Sequence, residues 1–295
     1  MDLQLEQLKD LVKQKGFEMG MDVVGIADLP RLKSAPHRFH ATDYLPTAQS
    51  VIVVGCHFPE GSVENWRKTP SSYQYYGYAL TNKELGRACF RIAKLVEQEG
   101  YRCFPIVPTG HCKDMDSKAQ MGEFSHRHAA VAAGLGEFGY NRLVITPKFG
   151  NRVRFCSIIT EAPLPADPMY EGPALCDRCK KCINACPGHC LDESRLLSCT
   201  IGAKTYEYVT LYPFRCFYNL LGLGPNTGAQ LDIPLPKKQG ELSQLSFLKR
   251  YITAAITRFL KFLYIREQQS AVDWYDYCGR CLHVCDRPTN RFKAK

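Results

Sequence analysis

A chain of 295 residues with 45% hydrophobic side chains has enough apolar material for one large packed domain or two modest ones, and it needs no disulfides to fold. Its formal charge of +9 falls to about +5 if two oxidised four-iron clusters are bound, a modest excess that singles out no nucleic acid, acidic protein or anionic cofactor tail. The N-terminus, MDLQLEQLKDLVKQKG, has no basic region leading into an apolar run and no twin-arginine pair, so a cytoplasmic protein is expected, and fifteen cysteines in that setting point to metal ligation.

Leu3, Leu5, Leu8, Leu11 and Val12 recur near the helical period, which predicts an amphipathic helix ending near Gly16. Residues 22–27, DVVGIA, and 50–55, SVIVVG, read as strands, the second buried on both faces. The tyrosine cluster SSYQYYGY at 71–78 packs or rims a cofactor cleft, and it precedes a helix over residues 82–99 that Gly100 stops. A strand over 101–107 follows, and the alternation of strand and helix predicts an α/β layer.

A helix over 126–133 then runs into Gly134-Leu135-Gly136, where the backbone turns or approaches a ligand. Two strands follow, 143–146 and 153–160, around a turn at 148–150. The glycine pair follows a helix instead of joining a strand to one, so it is not a dinucleotide-binding fingerprint. His126 and His128 stand two apart on a helix, face different sides and do not chelate; His57 follows a buried strand, and packing is the reading for each of the three.

The chemistry is concentrated in CDRCKKCINACP, residues 176–187, and CGRCLHVC, residues 278–285. Cys176, Cys179, Cys182 and Cys186 stand in the C-x2-C-x2-C-x3-C-P order that wraps 4Fe-4S clusters, three thiolates on one cluster and the fourth reaching another. Three close cysteines plus a fourth before Pro187 suit structural zinc poorly. With Cys278, Cys281 and Cys285 the crossed wiring gives one cluster on Cys176, Cys179, Cys182 and Cys285, and a second on Cys186, Cys278, Cys281 and one more cysteine. Cys199 is the choice for that eighth ligand, with Cys190 and Cys216 as competitors. Asp286 occupies the place where proline usually follows.

Between the motifs, residues 222–241 read as a Gly- and Pro-rich loop, and residues 247–266 as an amphipathic helix too interrupted by charge to span a membrane. The expected organisation is a cofactor-binding unit over residues 1–165 and a cluster-binding unit over 166–295 with a helical insertion at about 200–277.

AAVAAGLGEFGYNRLVITPKFGNRVRFCSIITEAPL followed by CDRCKKCINACP resembles the signature of the reductive dehalogenase and epoxyqueuosine reductase superfamily, and GFEMGMDVVGIADL and YLPTAQSVIVVGCHFP resemble its opening elements. That resemblance implies an α/β (α+β) fold: a nitroreductase-like domain holding cobalamin, joined to a ferredoxin-like segment with two 4Fe-4S clusters. It also implies a corrinoid bordered by His126, Arg127, His128, Gly134, Gly136, Tyr140 and Gly150. The family commonly has Lys or Arg where Tyr140 stands, and its upstream acid aligns with Gln120, so Tyr140 is the candidate proton donor.

The expected function is a cobalamin-dependent reductase that cleaves a carbon–heteroatom bond of an organohalide or epoxide-like small molecule. Electrons would come from an external donor such as a ferredoxin or flavodoxin, entering at the cluster held by Cys278 and Cys281. The short segment after Cys285 leaves no room for the tRNA-binding repeat of typical epoxyqueuosine reductases and makes tRNA the lesser substrate. A ferredoxin-like carrier without a corrinoid is the alternative, and a flavin in the same cleft a third reading.

Overall fold

The computed structural model describes residues 3–34, 40–65, 70–109, 124–220 and 278–286. The loop expected at 222–241, the helix expected at 247–266 and the position of Gln120 lie outside the described residues. Among the described residues no helix is long and apolar enough to cross a membrane.

Four strands form the main sheet: β1 (Val23–Asp28), β2 (Ser50–His57), β3 (Cys103–Pro105) and β6 (Val153–Thr160), in the order β1-β2-β6-β3. Every pairing is antiparallel, with Ile52 opposite Ile26 on one side and Ile158 on the other. The sheet is therefore of the α+β kind, within the α/β (α+β) class expected. Strand β2 is nonetheless buried on both faces, because helices cover the sheet above and below.

Side chains alternate across a strand, so each strand feeds two cores. Ile52, Val54, Cys156 and Ile158 point to α1 (Leu3–Glu18) and α5 (Thr81–Gln98), meeting Leu8, Val12, Leu85, Ile92 and Val96. Val51, Val53, Phe155 and Ile159 point to the other face, against Ala129 to Ala133 of α6 (His126–Ala132) and the residue after it. Helix α5 buries Leu85, Ala88, Cys89, Ile92, Ala93 and Val96, a stripe at three- and four-residue spacing. Gly100, at φ 91°, takes the left-handed conformation that stops it.

The helix carrying α5 begins earlier than its periodicity suggests. Short helices α2 (Ala41–Tyr44) and α3 (Glu60–Glu64) precede α4 (Pro70–Gln74), which continues through a π-helical segment, Tyr75–Leu80, directly into α5. The tyrosine cluster falls on this segment and divides: Tyr73 is buried, while Tyr75 and Tyr76 are 39% and 47% exposed.

After α6 come β4 (Glu137–Phe138) and β5 (Val144–Ile145), an antiparallel pair. Beyond β6 lie α7 (Lys181–Asn184), a long hairpin of β7 (Leu191–Ile201) and β8 (Lys204–Leu211), α8 (Pro213–Leu220) and α9 (Arg280–His283). The hairpin occupies the start of the region expected to be a helical insertion. Its two-residue loop holds Gly202 at φ 58°, and Tyr206 and Tyr208 of β8 pack on Phe138 with ring centroids 5.8 and 5.2 Å apart. This contact fastens the cysteine-bearing half to the sheet-bearing half.

Candidate iron–sulfur centre and adjoining cavity

The two cysteine motifs share one local geometry. In the first, Lys180 is left-handed at φ 60° and α7 begins at the next residue; in the second, Gly279 is left-handed at φ 55° and α9 begins likewise. Cys179, Cys182 and Cys186 thus correspond to Cys278, Cys281 and Cys285, and α7 packs on α9. Glycine is required at 279 on a second count: a Cβ there would lie 2.7 Å from the ring of Tyr73. Asp286, standing where proline was expected, pairs with Lys181 at 2.8 Å and ties one motif to the other.

Cys176, Cys179, Cys182 and Cys285 line a common cavity with Tyr140, Asn141 and Ile145. The loop curls around it through Arg178 and Lys180, both left-handed. Burial, and then the charges of Cys285, Cys176 and Cys179, push the Cys182 thiol up to about 12, so four thiolates here call for a cation among them. The Tyr140 amide donates to Cys176 Sγ at 3.3 Å, and its ring lies 5.2 Å beneath the Arg178 guanidinium.

The second group is Cys186, Cys216, Cys278 and Cys281, each sensing its neighbours' charge, with Cys190 between Cys186 and Cys216. Cys186 is held down to about 6, chiefly by a hydrogen bond from the Cys190 thiol and, against burial, by the amides of Cys190, Gly188 and Leu191; the Cys190 amide is 3.2 Å from its sulfur. Cys199 is elsewhere. It lies on β7 opposite Tyr206, 8% exposed, with its thiol 3.9 Å from the Thr200 carbonyl and beside Tyr208. The hairpin carries it into the core under α6, whereas α8 brings Cys216 to the group beside Cys190, so the two competitors stand there and Cys199 does not.

Depth separates the groups. Cys179 is exposed, with Arg178, Lys180 and Lys181 paired around it to Glu207, Glu193 and Asp286. Cys216, Cys278 and Cys281 are half-buried, and Arg127 of α6 is exposed. The first group thus has one exposed member, whereas none of Cys186, Cys216, Cys278 and Cys281 is exposed.

The remaining candidates divide. Ser125 accepts from the His128 amide at the start of α6. His126 bonds through both ring nitrogens, to Ser157 Oγ at 2.9 Å and the Val107 carbonyl at 3.0 Å, and burial lowers it to about 4. His128 is buried, also lowered to about 4 chiefly by burial, and its Nε2 has no partner among the described residues. Gly134, at φ 73°, and Gly136 are explained by close packing: a Cβ would fall 2.0 Å from the Pro168 carbonyl oxygen at one and 2.1 Å from that of Ile145 at the other. Gly150 closes a turn by exchanging backbone hydrogen bonds with Thr146. Tyr140, the candidate proton donor, stands in the wall of the surface thiol group. Arg142 and Arg154, which the sequence did not single out, lie beside Arg127 and press on its charge.

Among the described residues no three His, Cys, Asp or Glu side chains are set to hold a metal ion. The thiols stand instead as one group of four and a second of four with Cys190 among them, and soft thiolates in fours suit iron–sulfur ligation.

No family model matches the chain. It is 39% identical over 74 residues to the epoxyqueuosine reductase of Bacillus anthracis, covering 25% of this chain and 19% of that one. It is 31% identical over 138 residues to the tetrachloroethene reductive dehalogenase of Desulfitobacterium hafniense, covering 46% and 23%. A solved reductive dehalogenase, whose structure suggests a mechanism for B12-dependent dehalogenation, overlaps 85% of this chain and 35% of its own at a TM-score of 0.53 and 18% identity, a likeness of fold. The homologues are oxidoreductases, and the chain is similar to the superfamily that contains epoxyqueuosine reductases and reductive dehalogenases. The chain spans less than a quarter of the length of the two curated relatives.

Proposed function

We propose that this chain is a cytoplasmic iron–sulfur reductase that carries two 4Fe-4S clusters and a cobalamin and cleaves a carbon–heteroatom bond of a small organohalide or epoxide-like substrate. The observation that carries the reading is the gathering of the motif thiols into two groups, one lining a cavity with the exposed Cys179, the other around Cys186, Cys278 and Cys281. In this reading residues 1–165 form a nitroreductase-like domain, and residues 166–295 a ferredoxin-like one.

Cys176, Cys179, Cys182 and Cys285 hold the outer cluster, where Cys179 is open to an external donor such as a ferredoxin or flavodoxin. Cys186, Cys216, Cys278 and Cys281 hold the inner one. The amides of Tyr140 and Cys190 each donate to a ligand sulfur, an interaction that raises a cluster's potential. The residues of α6 fit a corrinoid in one respect: the exposed Arg127 and the buried Nε2 of neighbouring His128, unpartnered among the described residues, are polar groups that a carboxamide-rimmed cofactor can satisfy. When bound there, cobalamin supplies the cobalt chemistry of reductive cleavage; the protein's share is to hold it beside the inner thiols and exclude water.

Anaerobic purification with cobalamin supplied, followed by metal analysis and electron paramagnetic resonance, tests the proposal. About eight irons and one cobalt per chain are expected. About eight irons without cobalt would instead favour a ferredoxin-like electron carrier.

A further inference from the structure

One dipeptide touches both cysteine motifs. Tyr140 and Asn141 lie in the tight turn between β4 and β5, closed by the Gly139 amide donating to the Leu143 carbonyl at 2.7 Å and the Arg142 amide to the Gly139 carbonyl at 2.9 Å. The Tyr140 amide donates to Cys176 Sγ at 3.3 Å, and its carbonyl accepts from the Val209 amide of β8 at 3.0 Å. Asn141 stands beside it in the wall of the cavity lined by Cys176, Cys179, Cys182 and Cys285. Its side chain reaches the other motif: Nδ2 donates to the carbonyl of Cys281 at 3.4 Å, across 140 positions of the chain.

That side chain has little freedom. Asn141 is buried, 7% exposed, and its Oδ1 accepts from the Leu143 amide at 3.1 Å, the two-residue link that fixes an asparagine within a turn. With the oxygen held by its own turn, the amide nitrogen is aimed at Cys281. Gly139 leaves room for it, since a Cβ there would stand 3.1 Å from Oδ1. The surroundings are apolar: Tyr140, Leu191 and Val209 form a buried cluster on which Cys176, Cys182 and Cys281 all pack. A buried amide in such a place costs free energy unless it is bonded at both ends, and when bonded it specifies one arrangement of the parts it joins. The Lys181–Asp286 pair also joins the motifs, but both side chains are exposed, where an ion pair holds weakly.

We propose that Asn141 is a positioning residue for electron transfer: it fixes the loop of Cys278 and Cys281 against the wall of the first thiol group and so sets the separation of the two clusters. The proposal rests on the two-cluster reading. Electron tunnelling falls steeply with distance, and a ligand loop held from behind also orients its thiolates, so one hydrogen bond outside the ligand set governs both.

Asn141→Leu and Asn141→Ser test it in the cluster-loaded full chain. Leucine removes both hydrogen bonds, whereas serine keeps an acceptor for the Leu143 amide and is too short to reach Cys281. Iron release to a chelator is followed for each cluster by electron paramagnetic resonance, together with the magnetic interaction between the two reduced clusters. In both variants the inner cluster is expected to lose iron about tenfold faster than in the wild type, the outer one at its wild-type rate, and the interaction to weaken. A serine variant indistinguishable from the wild type would overturn the proposal, because the bond within the turn then suffices; where the leucine variant does not fold, the serine variant decides. Faster loss of the outer cluster, the mark of a wall residue that merely packs, or loss of both clusters would overturn it too. Wild-type protein with fewer than about eight irons removes the two-cluster reading and the proposal with it, whereas about eight irons with release and interaction unchanged in the variants removes the proposal alone.

Discussion

Gly279 lies directly against Tyr73: a Cβ on the glycine would stand 2.7 Å from the tyrosine ring, and the glycine backbone is left-handed at φ 55°. Lys180, its counterpart in the first motif, has the same backbone without the crowding. Gly279→Ala therefore meets both a strained conformation, about 1–3 kcal/mol, and a collision that moves the loop or the ring. The expected result is loss of the inner cluster, about four of eight irons, with the outer one retained. Iron analysis with resonance spectroscopy of each cluster checks it.

Exchanging the eighth ligand discriminates between two cysteines. Cys216→Ala is expected to lose the inner cluster, and Cys199→Ala to keep both, because Cys199 faces Tyr206 and Tyr208 across the hairpin. Full iron in the first variant and half in the second would restore Cys199 as ligand.

Gly134 makes a stability prediction independent of metal. Its positive φ and the Pro168 carbonyl 2.0 Å from a would-be Cβ mean that Gly134→Ala must move the chain end of α6. A loss of about 2–4 kcal/mol is expected in chemical denaturation, at or above the usual range for a single left-handed residue. Gly61→Ala is the control, since nothing lies within 4 Å of its Cβ position.

Acid sensitivity should trace in part to His126. Burial lowers its pKa from 6.5 to about 4, so the unfolded chain binds the proton that the folded one refuses. The sign follows: a folded pKa below the unfolded value gives stability that is full above about pH 6.5 and declines as pH falls toward 4. His126→Asn should be less stable at pH 7, through its lost hydrogen bonds, and show a shallower decline between pH 6.5 and 5 in denaturant titrations of the cluster-loaded protein.

Some of this was legible in the residues alone. The cysteine spacing encodes a loop that closes on itself within a few residues, so seven of the candidate ligands, from Cys176 to Cys285, could be read locally. Strands 50–57 and 153–160 and helix 81–98 likewise announced themselves by apolar pattern. Strand direction did not, because two-sided burial looks the same in a parallel sheet and in an antiparallel one covered by helices. The eighth ligand depended on where the hairpin sent Cys199 and where α8 sent Cys216, a long-range matter that spacing does not carry. The strand alternation of TYEYVTL, with Tyr206, Tyr208 and Val209 buried, was a signal for that hairpin that went unused. Asn141 meets Cys281 only after elements 140 positions apart have packed, so no motif announced that bond.

The crossed wiring has a consequence for how the protein is made. In the proposed wiring Cys285 completes the ring begun at Cys176, while Cys186 joins the ring of Cys278 and Cys281, so each needs thiols from points about a hundred residues apart on the chain. Neither ring can close on a growing polypeptide before its last turns have emerged, and each closure must overcome the entropy of gathering that loop. Metal capture thus becomes a late checkpoint: a chain interrupted anywhere before Cys278 leaves two open sites instead of one finished and one missing.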